Sequence, residues 1–187
     1  MTARAFYGGA SGSQPSQPSD RGYLAWTQPP YAVTAGSVIP TAGVLNLRRV
    51  RRVPAGSVSS IVAFVAVAGV TLTAGQCFAA LFTASGTRVA QTADQASAWA
   101  STGLKVMPLA GGPYPIAAGD YYVGVWFNGA TGPSLIRSGS VSSVVTNAGL
   151  TAPSLEAATA DTGLTTTAPA SFAAQTPGVF EFWFALA

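Results

Sequence analysis

Few residues in this chain of 187 could carry chemistry. It contains no histidine and one cysteine, Cys77, which excludes histidine catalysis, histidine metal ligands and a disulfide within the chain. The carboxylates are scattered, so only folding could pair two of them as in a glycosidase, and no cluster resembles a calcium loop. They are Asp20, Asp94, Asp120, Glu156, Asp161 and Glu181. We therefore expect a protein that is not an enzyme and that uses no cofactor or metal ion.

The densest group of charges is the arginine cluster, Arg48, Arg49, Arg51 and Arg52, which holds four of the nine basic residues. In a strand, alternation places Arg48 and Arg52 on one face and Arg49 and Arg51 on the other. Three interpretations stay open: an exposed edge strand protected by charge, an assembly interface for acidic or carbonyl-rich protein surface, and phosphate or nucleic-acid binding. The third is disfavoured because no Gly-rich loop or aromatic stripe accompanies the cluster, and we expect no nucleic-acid partner.

Aromatic side chains could instead form a sugar site, since aromatic faces stack on pyranose rings. The candidates are Trp26, Tyr31, Trp99, Tyr114 and Trp126. Most aromatic residues of a globular domain lie in its core or in an interface, which is the competing explanation for each of them. Trp99 is the strongest candidate because it lies in the polar stretch 92–103, and Tyr114 is the second candidate glycan contact.

The elements that must position these residues are predicted to be short β-strands, bounded by Gly, Pro, Ser and Thr turns. The stronger strands are expected at 44–53, 57–68, 76–83, 104–109, 120–128, 140–146 and 179–186, and weaker ones at 87–91, 135–137 and 154–158. Only 93–100 could hold a helical turn, with Asp94 as its cap. Because helices that would connect parallel strands are missing, the sequence predicts an all-β fold, an antiparallel β-sandwich that is jelly-roll-like.

Two of these strands are apolar on both faces. In 120–128, Tyr121 and Val123 lie on one face while Tyr122 and Trp126 lie on the other. In 179–186, Trp183 lies opposite a phenylalanine face and is expected at an interface or beneath a loop. Such strands are either covered on both sides by their own chain or meet a partner subunit.

The N-terminal region, residues 1–30, is predicted to be an extended Gly/Ser/Pro/Gln-rich arm, followed by the β-sandwich domain, residues 31–187. A disordered tail and a docking arm that becomes ordered on a neighbouring subunit are both compatible with the polar stretch 8–22. The aromatic anchors that bracket it favour docking, and they include Phe6, Tyr7, Tyr23 and Trp26.

Composition bears on where the protein works. Charged residues make up 8% of the chain, against about 25% in typical proteins. The longest apolar run, 61–70, is shorter than the roughly 20 residues that a membrane-spanning helix needs, so no membrane insertion is expected. The N-terminus lacks the apolar core of a secretory signal, which predicts synthesis in the cytoplasm without export by that route. A surface this poor in charge is typical of a protein that lives inside an assembly.

A string of turn and strand sequences carries a resemblance to a known class of proteins. It runs through Gly69–Arg88, Thr92–Gln95, Ala98-Trp99, Ser101–Lys105, Ala118–Val123, Asn147–Leu150, Thr162–Leu164 and Phe182–Leu186. Residues 44–187 resemble β-sandwich modules of minor tail and other virion structural proteins of tailed phages that infect actinobacteria. No site motif of that family can be matched position by position, so the resemblance transfers no binding residues.

The resemblance implies a non-enzymatic bacteriophage virion structural protein on the particle surface, made in the host cytoplasm. Its partners would be capsid or tail subunits, with a homo-oligomer, such as a trimer, among the expected forms. It would serve as a capsid decoration or minor tail subunit that docks through its N-terminal arm. The alternative is a carbohydrate-binding domain of a tail tip or fibre that recognises a glycan on the host surface.

Overall fold

The computed structural model describes residues 16–33, 35–39, 41–139 and 142–187, and these form mostly short β-strands. In chain order the strands are β1 Ala25–Trp26, β2 Ala35–Val38, β3 Leu45–Val53, β4 Gly56–Val58, β5 Ser60–Val67, β6 Val70–Leu72, β7 Phe78–Thr83, β8 Arg88–Gln91, β9 Gly103–Pro108, β10 Tyr114–Ile116, β11 Gly119–Trp126, β12 Gly129–Thr131, β13 Ser134–Arg137, β14 Ala157–Ala160, β15 Thr176–Pro177 and β16 Phe184–Leu186. Two 3-10 helices, Pro18–Arg21 and Pro30–Ala32, and two α-helices, α1 Ala96–Trp99 and α2 Ser143–Asn147, complete the described part.

Two six-stranded antiparallel sheets form the body of the protein. Sheet I has the order β8-β7-β11-β3-β14-β15. In sheet II, β5 pairs with β9 along one edge and with both β16 and β13 along the other edge. Strand β1 pairs with the far side of β16, and β2 pairs with the far side of β13. The sheets are open, and the two small ladders β4–β10 and β6–β12 connect their ends. This architecture confirms the predicted all-β antiparallel sandwich.

The main core lies between the two sheets. Alternation along β11 directs Tyr121, Val123 and Val125 toward this space, because successive side chains of a strand point to opposite faces. Sheet II contributes Ile61, Ala63, Val65, Met107, Phe182, Phe184 and Leu186 to the same buried cluster. Each large apolar side chain that is fully buried here stabilises the fold by about 1.5–3 kcal/mol.

The outer face of sheet I is covered by the protein's own C-terminal region. Trp126 donates from Nε1 to the Thr165 carbonyl (3.0 Å), and the Tyr122 hydroxyl donates to the Leu155 carbonyl (2.9 Å). The Phe172 ring meets the rings of Tyr122 and Phe82 edge to face, at centroid distances of 5.5 and 5.4 Å. Strand β11 is therefore buried on both sides within one chain.

The outer face of sheet II is covered in part by residues 18–33. Trp183 is 4% exposed, its Nε1 donates to the Gln28 carbonyl (3.0 Å), and the Tyr23 ring packs against it at 6.2 Å. Strand β1 pairs with β16, which ties this segment to the centre of the sheet. Residues 16–30 of the expected arm thus pack on the body of their own chain, while Phe6 and Tyr7 lie outside the described residues.

One predicted strand is wrong. The segment 140–146 was expected to be extended, but Ser143–Asn147 form the helix α2. Its β-branched residues Val144 and Val145 are 77% and 68% exposed, so they mark no buried strand face. The helix is held through Asn147, whose Oδ1 accepts the Glu156 and Ala157 backbone N–H groups at 2.8 and 3.2 Å. Tertiary contacts of this kind override local β propensity.

Smaller differences concern the ends of elements. The expected strand 57–68 is divided into β4 and β5, and only 184–186 of the expected strand 179–186 belong to a ladder strand. The helical turn predicted within 93–100 is present, but Asp94 does not cap it. Asp94 Oδ1 instead accepts the Cys77 backbone N–H at 3.0 Å. Among the described residues, no helix is long and apolar enough to span a membrane.

Candidate functional site

The arginine cluster lies on an internal strand, so the edge-strand interpretation is wrong. Strand β3 is paired with β11 on one side and β14 on the other. Val50 is opposite Tyr121 and Val53 is opposite Gly119, so β3 has one more residue than β11 between these pairs and forms a β-bulge. The bulge returns Val53 to the core and gives Arg52 a left-handed backbone with φ of 52°. Strict alternation along the cluster therefore ends at Arg51.

Arg48 is an internal residue, 6% exposed. Its Nη1 donates to the Glu156 carbonyl (2.7 Å) and lies 3.1 Å from Glu156 Oε2, and its Nη2 donates to Gln28 Oε1 (3.4 Å). Burial lowers the pKa of the Arg48 guanidinium, and the Glu156 carboxylate opposes that effect. Arg48 thus joins sheet I to the N-terminal segment inside one chain rather than facing a partner.

Arg49 is also engaged within the chain. Its Nη2 lies 2.7 Å from Asp120 Oδ2, its Nη1 donates to the Ser154 carbonyl (2.7 Å), and its guanidinium stands 6.0 Å from the Tyr122 ring centre. Asp120 Oδ1 accepts the Arg52 backbone N–H (2.8 Å), so this one carboxylate holds both Arg49 and the bulge. Although desolvation acts to raise the pKa of Asp120, the Arg52 N–H and the Arg49 guanidinium bring it below its ordinary value.

Arg51 and Arg52 face solvent. The Arg51 side chain is 51% exposed and pairs with Glu156 Oε1, while the Arg52 side chain is exposed and bonds to no other described residue. Both line a cleft of about 380 Å³ between the end of β3 and the N-terminal segment. The other lining residues of this basic cleft are Gln17, Pro18, Leu24, Ala25, Trp26 and Pro54. The cluster therefore divides into two internal and two accessible arginines.

The predicted anchors Tyr23 and Trp26 both contact their own body. Tyr23 packs on Trp183, and Trp26 is half-buried, with one side against sheet II and another in the basic cleft. Trp26 is thus the aromatic wall next to Arg51 and Arg52. The sequence signal for these contacts was that Tyr23 and Trp26 directly follow the polar stretch 8–22.

The expected glycan contact Trp99 is wrong, because its side chain is 0% exposed. Helix α1 carries Ala96 and Trp99 on one side, and both are buried in the main core. Asp94, Ser97, Ser101 and Thr102 are exposed around this buried side, which explains why the stretch resembled an exposed loop. Trp99 Nε1 is buried and makes no hydrogen bond with the described residues.

Tyr114 is half-buried at a second cleft of about 320 Å³, lined in part by Arg88, Gln91 and Thr167. Its hydroxyl donates to the Ala110 carbonyl (2.6 Å). The neighbouring polar groups are also occupied, because Gln91 Nε2 donates to the Thr166 carbonyl and Arg88 Nη1 to the Ala168 carbonyl. The Tyr114 hydroxyl, Gln91 and Arg88 are thus all engaged within the chain.

One exposed apolar edge was not predicted from the polar and aromatic residues of the sequence. Strand β9 pairs with β5 alone among the described strands, and Leu104 and Val106 on it are 53% and 59% exposed. Phe64 of β5, directly opposite Leu104, is 38% exposed. The sequence signal was available, since alternation in the segment Leu104-Lys-Val-Met-Pro108 gives an apolar face of Leu104, Val106 and Pro108 opposite the face that carries Lys105 and Met107.

The described residues contain no group of three or more acidic or cysteine side chains that could hold a metal ion. Cys77 is buried, and its desolvation raises the pKa of the thiol. Comparison with known protein families, curated proteins and solved structures found no match for this chain.

Proposed function

We propose that the protein is a non-enzymatic structural subunit of a bacteriophage virion, a capsid decoration or minor tail protein on the particle surface. The observation that carries an assembly role is the apolar edge formed by Phe64, Leu104 and Val106. An open edge strand with exposed apolar side chains presents free backbone groups and tends to pair with another chain. The resemblance of residues 44–187 to phage virion modules supports the kind of assembly.

A second copy of the chain is the partner that best fits the apolar edge. Strand β9 carries one charged residue, Lys105, and its ammonium group donates to Ser101 Oγ (2.9 Å) and to the Thr102 carbonyl (3.1 Å) of the same chain. Two copies can therefore pair their β9 edges about a two-fold axis with few charges between them. Val106→Lys should shift the purified protein toward the monomer in sedimentation experiments, whereas Val144→Lys, on exposed helix α2, should not.

The arm supplies the attachment to other virion proteins. The described part of the chain begins at Ser16, whose Oγ accepts a hydrogen bond from Arg21 Nε (3.4 Å). Because residues 16–33 pack on sheet II, the segment that is available for docking is shorter than the predicted 1–30. Phe6 and Tyr7 are its aromatic residues.

The test is to delete residues 1–15 and to measure both thermal unfolding and incorporation into particles. We expect the melting temperature to stay unchanged, because the contacts described above all lie within residues 16–187, and occupancy on particles to fall at least tenfold. A Phe6→Ser/Tyr7→Ser double variant should lose occupancy as the deletion does, while Gln14→Ser, in the polar spacer, should keep it. Full occupancy of the deletion variant would refute the docking arm.

Carbohydrate binding remains the second candidate function, and it now depends on the cleft beside Tyr114. A half-buried ring next to a polar cleft can stack on one sugar ring. Tyr114→Ala should then abolish signal on an array of host glycans and reduce adsorption, with assembly intact. Absence of array signal with the wild-type protein would remove this alternative.

A further inference from the structure

We infer that the basic cleft binds a short acidic peptide segment of a partner protein. This inference rests on the proposed function, since it names the chemistry of the surface that a neighbouring virion protein would present. It is carried by an unbalanced positive charge, a strained arginine backbone and the character of the cleft walls. None of these features includes residues 1–15 or the apolar edge.

The charge balance of the cluster leaves positive charge at the cleft. Arg48 and Arg51 share the carboxylate of Glu156, and Arg49 is paired with Asp120. Arg52 has no carboxylate partner among the described residues. The nearest acid of the N-terminal segment, Asp20, already accepts the Gln17 backbone N–H at 2.8 Å. A carboxylate entering the cleft would therefore meet Arg52 and the exposed side of Arg51.

The second observation is the left-handed backbone conformation of Arg52. A left-handed conformation is unfavourable for residues other than glycine, asparagine and aspartate, and at a bulge glycine adopts it without strain. Arg52 nevertheless holds a φ of 52°, fixed by its N–H bond to Asp120. Its guanidinium makes no hydrogen bond or ion pair with the described residues and lines the basic cleft, so we connect the strained backbone with the position of this charge.

The walls of the cleft favour a peptide over a sugar or a nucleic acid. Arg51 and Arg52 offer hydrogen-bond donors, and the nearby carboxylates are already engaged, so the cleft suits acceptors such as carboxylates and backbone carbonyls. Sugar hydroxyls need acceptors as well as donors. Trp26, Leu24 and Pro54 give an apolar lining that fits proline or aliphatic side chains. Nucleic acid needs many phosphate contacts, and two arginines are too few.

The four tryptophans make binding measurable. Trp99, Trp126 and Trp183 are at most 4% exposed, whereas Trp26 is half-buried in the cleft, so a ligand there changes mainly the Trp26 fluorescence. The probe is a synthetic peptide, Glu-Pro-Asp-Leu-Glu, blocked at both ends, and its control is the uncharged Gln-Pro-Asn-Leu-Gln. With the full chain we expect a saturable change with the acidic peptide that weakens with salt, and none with the neutral one.

Two variants of Arg52 separate binding from folding. Arg52→Gly should unfold at the same or a higher denaturant concentration, because glycine relieves the backbone strain, and yet bind the acidic peptide about tenfold more weakly. Arg52→Gln should weaken binding to a similar extent. The matched control is Lys105→Gln, which removes the same charge from strand β9 and should leave the affinity unchanged.

Iodide and caesium give an independent readout of the same charge. Quenching of Trp26 by the anion should exceed quenching by the cation, and Arg52→Gly should reduce this difference at least twofold. The inference is overturned if the acidic peptide gives no saturable signal, if it binds no better than the neutral one, or if Arg52→Gly binds as the wild type does. Particle occupancy of the 1–15 deletion tests the proposed function separately, since peptide binding is measured without particles.

Discussion

The Glu156 carboxylate pairs with two arginines of very different exposure, so the stability that each ion pair contributes can be measured separately. The Arg48 side chain is 7% exposed and that of Arg51 51%. With an effective dielectric constant of about 20, unit charges at the Arg48–Glu156 separation attract each other by about 5 kcal/mol. Glu156→Gln keeps the shape but leaves the Arg48 cation buried and uncompensated. Since the amide and Gln28 still accept hydrogen bonds, we expect a loss of about 3 kcal/mol, the lower end for broken buried pairs.

The comparison variant is Arg51→Met, which removes the exposed partner of the same carboxylate. An exposed ion pair contributes about 0–1 kcal/mol, so this variant should be nearly as stable as the wild type. Urea unfolding followed by fluorescence resolves the difference, because 3 kcal/mol shifts the midpoint by about 1–3 M at typical slopes. Adding Arg48→Met to Glu156→Gln should restore most of the stability, because no buried charge then remains. Equal losses for Glu156→Gln and Arg51→Met, or no rescue, would refute the assignment of Arg48 to the interior.

Three further predictions concern the carboxylate at the bulge, the buried indole and a crowded glycine. Because the pKa of Asp120 is lower in the folded protein than its ordinary 3.8, its stabilisation is fully present above that ordinary value and is lost as the pH falls through the folded-state value. The difference in urea midpoint between wild type and Asp120→Asn should therefore shrink on acidification, and a constant difference would contradict this. Trp99→Ala should destabilise the fold by about 3–5 kcal/mol in urea unfolding, and Trp99→Phe by less, since its Nε1 makes no hydrogen bond. A Cβ on Gly129 would lie 2.5 Å from the Thr71 carbonyl oxygen, so Gly129→Ala should cost about 1–3 kcal/mol, whereas Gly119→Ala, with open space around it, should unfold like the wild type.

The sandwich could be predicted because its central strands carry their burial pattern locally. In β11 the alternation of Tyr121, Val123 and Val125 with Tyr122 and Trp126 directly indicated two buried faces. The sequence did not show what covers the second face, because Phe172 and Thr165 are far away in the chain and lie in irregular segments. The helix α2 was missed for a related reason: its valines point to solvent, and its anchor is the side chain of Asn147.

The division of the arginine cluster into internal and accessible residues could not be predicted from the sequence. The composition of the cluster predicted polar contacts, but the division into internal and accessible arginines depends on Asp120 and Glu156, which are 68 or more residues away. The bulge that separates the two halves is a property of the β3–β11 register and has no local sequence mark. Trp99 was misassigned because its neighbours are polar, although the spacing of Ala96 and Trp99 by three residues is typical of one helix face.

Several of the few charged residues pair with one another, so the surface carries even less free charge than the composition indicates. Of nine basic and six acidic residues, three arginines and two carboxylates are engaged with one another around β3. These pairs contribute little to the hydration of the surface, so the protein is even less protected against association than its composition indicates. Leu104 and Val106 are exposed on β9, whose one charge, Lys105, is engaged with Ser101 and Thr102, and this is unfavourable for a free monomer and favourable for a subunit. An exposed, unpaired Arg52 on such a surface then offers specificity, because a partner that lacks a carboxylate would leave it desolvated and unpaired.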